Sequence, residues 1–169
     1  SGVLVEPTPH NFLKCRANRS SLTHIFCCAC VAFDYPEKFV ELAFSNLMTT
    51  PIGLDSDIPD AIAHSEEGRR FLALTDTVFT FGAPALTLNS LLLEAGSPTT
   101  IDLLSLDVEG AELEVLKGVN HDHFRFRHIC VECRDIARMT HYLAIQGYDI
   151  VAKLSIHDYL FRDIKATQG

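Results

Sequence analysis

Apolar residues in this chain fall into short runs parted by amphipathic stretches, and the alternation is plainest in the second half. Ile101-Asp-Leu-Leu-Ser-Leu-Asp107 reads as a strand that ends on an acid. Val108-Glu109-Gly110 makes a tight turn, and a helix is predicted over 111–117, closed by Gly118. Strand, glycine turn and helix form half of a βαβ unit, and ligands of open α/β sheets sit beyond the carboxyl ends of such strands. Asp107 and Glu109 are therefore placed where chemistry is expected. Further strands are predicted at 128–132, 148–154 and 159–164, with a helix at 136–146 ended by Gly147. The gap before the last strand is too short for a parallel crossover, which makes the final pair an antiparallel hairpin.

The first half is read the same way. A strand over 2–6 precedes a helix over 9–18, with Thr8 at its N-cap, Pro9 in first position, and Phe12, Cys15 and Arg16 on its inner face. A near-continuous apolar run at 23–31 has the pattern of a parallel strand covered on both faces. Residues 38–43 and 77–81 predict strands and 86–95 a helix. Between 44 and about 75 the periodicity fades, the mark of a functional loop or lid. The expected architecture is one α/β domain over 1–169, with a mostly parallel sheet, an antiparallel last strand and a loop-rich insertion at about 44–85.

Composition narrows the functional classes. Apolar residues make up 47% of the 169, enough for a buried core and against disorder. A net charge of −8 argues against a non-specific nucleic-acid binder, which needs basic residues to displace counterions. No apolar run approaches the ~20 residues that cross a bilayer, and the chain shows no basic-then-apolar leader. The expectation is a soluble, cytoplasmic protein that acts on a small molecule, with no nucleic-acid or membrane partner. Six cysteines could suggest disulfides, but Cys27, Cys28 and Cys30 share one apolar run and Cys130 and Cys133 another. That spacing does not make a zinc clip and reads as reduced core cysteine. His121-Asp-His123 follows a helix end, on the rim opposite the strand ends, and reads as surface loop.

Glu6 is a second strand-end acid. In nucleotide-binding α/β folds such an acid follows a first strand and a glycine-rich turn, and accepts ribose hydroxyls. No such turn precedes Glu6, so the domain is expected to be incomplete at its N-terminus.

The run Asp102-Leu-Leu-Ser-Leu-Asp-Val-Glu-Gly-Ala-Glu-Leu-Glu-Val-Leu-Lys-Gly118 resembles the signature of FkbM-type S-adenosylmethionine-dependent methyltransferases. Gly2-Val-Leu-Val-Glu-Pro-Thr-Pro, Ile129-Cys-Val-Glu132, and Gly147-Tyr-Asp-Ile with His157-Asp-Tyr-Leu-Phe161 resemble further segments of that family, in order. The resemblance implies a Rossmann-like class I methyltransferase fold with S-adenosylmethionine as cofactor. On that footing Glu6 would take the ribose hydroxyls, Cys30 and Val31 would flank the adenine, and Asp107 and Glu109 would lie near the sulfonium. Asp107, Glu132 and His157 are then the candidate catalytic groups, since an alcohol acceptor needs a carboxylate or histidine to take its proton. No metal site is assigned. The family's glycine-rich cofactor loop is absent. The expected reaction is O-methylation of a small hydroxylated acceptor such as a sugar or natural product. The alternatives are a non-catalytic Rossmann-like scaffold and a nicotinamide-dependent oxidoreductase.

Overall fold

The computed structural model describes residues 1–74 and 76–165. Strand β1 (Gly2–Val5) leads into helix α1 (Pro9–Asn18), and β2 (Thr23–Phe26) returns parallel to β1. The apolar run at 23–31 is not one strand. It breaks at Cys27-Cys28, and the remainder forms β3 (Ala29–Cys30) in a different sheet. There β3 pairs in parallel with β6 (Phe79–Leu86), while β4 (Phe39–Phe44) lies antiparallel to both β6 and β5 (Thr50–Ile52). Between β5 and β6 stands α2 (Ala61–Glu67), capped by the Asp60 carboxylate accepting from the Ala63 amide. This segment was expected to lack elements because each of its helices and strands is too short to show a period.

Helix α3 (Leu88–Glu94) begins at Thr87, whose hydroxyl accepts from the Ser90 amide. The second half follows the predicted alternation: β7 (Thr100–Leu106), α4 (Glu112–Lys117), β8 (Arg125–Glu132), α5 (Ile136–Ile145), β9 (Tyr148–Lys153) and β10 (Asp158–Asp163). The closing hairpin is antiparallel, as expected. Its last strand does not lie at the edge but inserts between β8 and β9, antiparallel to each, in the order β7-β8-β10-β9. Parallel pairing is confined to β1–β2, β3–β6 and β7–β8 among the described residues. The sheets are mixed, which corrects the expectation of a mostly parallel one. The cause is long-range antiparallel pairing of β4 with β6 and of β10 with β8, which no local pattern encodes.

One core cluster fills the space between the β7-to-β9 sheet and its helices. It joins Leu106, Ile129, Val131 and Phe161 of the strands to Leu116 of α4 and to Met139 and Leu143 of α5. A second, smaller cluster joins Val31, Val40, Leu42 and Ala83. Gly118 is one point where the two halves touch: a Cβ there would stand 2.1 Å from the Val31 carbonyl oxygen.

At the amino end of β8, Arg125 is enclosed by acceptors. Its Nε donates to Asp163 Oδ2 at 2.9 Å, and its Nη1 to the carbonyls of Gln146 at 2.8 Å and His121 at 3.1 Å. Its guanidinium lies 4.3 Å from the centre of the Tyr148 ring. His121 beside it is buried, not part of an open surface loop, because its ring packs edge-on against Tyr142 and Tyr148. Burial pushes that imidazole down to about 4.

Candidate functional site

A cleft of about 910 Å³ runs between β1 and β7. Among the described residues β1 pairs only with β2, and β7 only with β8, so each strand turns an unpaired edge towards this cleft. Glu6, Cys28, Cys30, Asp107 and Glu109 line it. Glu6 accepts the Thr8 amide on Oε1 at 2.8 Å, which fixes the carboxylate at the entry to α1 and leaves Oε2 for another donor. The Thr8 hydroxyl caps nothing and is buried with no hydrogen-bond partner. Cys30 is half-buried on the cleft wall, whereas Val31 is 4% exposed in the smaller core cluster and is not part of the lining.

The turn after β7 is built for close approach. Glu109 and Gly110 both take the left-handed region, at φ 54° and 99°, and a Cβ on Gly110 would meet Ser56 Oγ at 2.4 Å. A non-glycine residue held at positive φ stores strain that the surroundings must offset. Here Glu112 does much of that: it is 1% exposed, and its Oε1 accepts the amides of Val108 at 2.9 Å and Gly110 at 3.2 Å. Glu112 is thus a structural carboxylate of the turn, and burial raises its pKa.

Asp107 and Glu132 follow paired positions of adjacent parallel strands, since Leu106 lies opposite Val131. The Asp107 carboxyl is close enough to that of Glu132 to act on its charge. Burial first, then the charges of Asp107 and Glu109, push the Glu132 carboxyl up to about 7, against the opposing pull of Arg134. Arg134 lies among three acids: 3.8 Å from Glu132, 3.9 Å from Glu109 and 3.9 Å from Asp57. His157 does not join this group. It stands exposed on the β9–β10 turn, where its backbone carbonyl accepts the Cys133 amide at 2.9 Å.

The segment between β5 and α2 brings residues that the sequence did not single out. Asp57 accepts the amides of Arg134 at 2.5 Å and Asp135 at 3.1 Å on Oδ2, and donates its own amide to the Gly110 carbonyl at 3.1 Å. On α2, His64 Nε2 meets Glu109 Oε2 at 2.7 Å. The only sequence signal for this contact was a histidine four positions after a capping aspartate, too common a pattern to single out.

The chain matches the sequence profile of the methyltransferase FkbM domain over residues 1–159. The chain belongs to this family. Of curated proteins, methyltransferase sdnD of Sordaria araneosa is 64% identical over 33 residues, a stretch that covers 19% of this chain and 13% of sdnD. No solved structure matches.

The family implies a methyl donor, and the residues that would hold one are those that line the cleft. Glu6 Oε2 is an open acceptor for hydroxyls, Cys28 and Cys30 offer a soft apolar wall, and Asp107 and Glu109 place negative charge on the cleft.

Proposed function

We propose that this domain, on a Rossmann-like class I scaffold, transfers a methyl group from S-adenosylmethionine to a hydroxyl of a small acceptor such as a sugar or natural product. What supports this reading is that the strand-end acids Glu6 and Asp107 line one cleft, with the carboxyl of Glu132 beside Asp107 pushed up to about 7 by burial and by the charges of Asp107 and Glu109. A base serves best when its pKa lies close to the working pH.

S-adenosylmethionine supplies an electrophilic methyl on a positively charged sulfur. The protein's own part is alignment, charge and a proton sink. Glu6 holds hydroxyls at the end of β1, while Cys28 and Cys30 bound the apolar side of the cleft. Asp107 acts on the charge of the Glu132 carboxyl, and Glu132 would take the proton that the acceptor hydroxyl gives up. The contacts of Asp57 to the Arg134 amide and the Gly110 carbonyl tie its segment to the turn. Localisation carries one structural fact: among the described residues no helix is long and apolar enough to cross a membrane.

Isothermal titration of S-adenosylhomocysteine into the chain, beside Glu6→Ala, tests the cofactor half of this proposal. Binding is expected, and its loss of ten-fold or more in Glu6→Ala follows from removing a charged hydrogen-bond acceptor. A wild-type titration without heat, or one indifferent to the substitution, would overturn the assignment of Glu6 and favour a binding or scaffold role.

A further inference from the structure

We infer that His64 is a positioning residue for the reaction, acting through Glu109 to fix the distribution of charge around Glu132. The inference rests on the proposed methyl transfer for its catalytic consequence, and on geometry alone for its structural content.

Glu109 Oε2 lies between two cationic or donor groups of unequal reach. His64 Nε2 holds it at 2.7 Å, whereas Arg134 stands back at 3.9 Å. The His64 and Glu109 side chains are 14% and 13% exposed, so the contact is largely screened from water. The backbone confirms that the position is imposed: Glu109 is kept at φ 54°, and the 56–58 segment packs directly onto Gly110. His64 therefore keeps Glu109 from closing onto Arg134. Arg134 in turn stays shared, 3.8 Å from Glu132.

The groups that face Glu132 come from every neighbouring element. Asp107 follows β7, Glu109 belongs to the turn, Arg134 follows β8, and Asp158 lies opposite on β10. Of these, Arg134 alone favours the charged form of Glu132. Removing His64 frees Glu109 to draw Arg134 away, and the carboxyl of Glu132 then holds its proton to higher pH. Removing the charge of Glu109 has the opposite sign, because a repelling neighbour is lost.

The test is a carboxyl-carbon NMR titration of Glu132 in the cofactor-free protein, for wild type, His64→Ala, His64→Gln and Glu109→Gln, with circular dichroism to confirm folding. His64→Ala is expected to raise the midpoint by about half a unit to one unit, and Glu109→Gln to lower it by a similar amount. His64→Gln, which keeps an N–H donor for Glu109, is expected to restore the wild-type value. A midpoint that stays put in His64→Ala, or moves without rescue by glutamine, overturns the inference. The same variants are then compared in the acid limb of kcat/KM. If the NMR midpoint moves and the limb does not follow, the positioning stands and the assignment of Glu132 as base falls.

Discussion

Asp163→Ala offers the sharpest test of what holds the second half together. The carboxylate is 1% exposed and the Arg125 side chain 15%, so their pairing is made away from water. Breaking a buried pair by removing one member costs ~3–5 kcal/mol, because the survivor keeps its charge without compensation. Arg125 retains the carbonyls of His121, Gln146 and Gly147 and the face of Tyr148, which places the loss at the lower end, about 3 kcal/mol. With an unfolding entropy of ~2.1 cal/mol/K per residue, a chain of this length should lose roughly 8 °C in Tm. Thermal and urea unfolding followed by circular dichroism read both quantities. Arg125→Met should be worse than Asp163→Ala, since it leaves a nearly inaccessible carboxylate without its cation. A Tm drop below about 3 °C for Asp163→Ala, or the reverse ranking of the two variants, would refute the reasoning.

Gly118→Ala drives a methyl into the Val31 carbonyl and should cost about 2–3 kcal/mol in urea unfolding; a neutral result would mean that the two core clusters are not tightly coupled there. The folded His121 titrates at about 4, below its ordinary 6.5, so the unfolded chain takes the proton first. The stability it supports is complete above pH 6.5 and is lost as pH falls towards 4, by an amount on the order of 3 kcal/mol. His121→Phe should flatten that part of the stability–pH curve, and an unchanged slope would assign the acid sensitivity to other groups.

The legibility of this chain differs sharply between its halves. The 101–118 segment announced itself because an apolar strand, the acids Asp107 and Glu109, and the glycines Gly110 and Gly118 occur in the one order that a strand–turn–helix permits. The hairpin at 148–163 was readable from gap length alone. By contrast, nothing in Thr-His-Ile-Phe-Cys-Cys-Ala-Cys-Val marks the break at Cys27-Cys28: no glycine or proline interrupts it, and the split arises because β6 captures residues 29–30. The carboxylates at the strand ends were found for the same reason as the strands. His64 and Asp57 were not, because their significance lies in contacts spanning 45 and 77 residues of sequence. The role of Arg134 was likewise invisible until β8 had placed it among three acids.

The insertion of β10 between β8 and β9 carries a consequence for how the molecule is made. During synthesis β9 leaves the ribosome before the strand that ties it to the sheet, and it can join the sheet only when residues 158–163 follow. Until then β8 presents an unpaired edge, the kind of surface that invites pairing with another chain. This sheet is thus closed by β10. A chain that stopped at residue 157 would lack the strand that ties β9 to the sheet, and with it the carboxylate of Asp163.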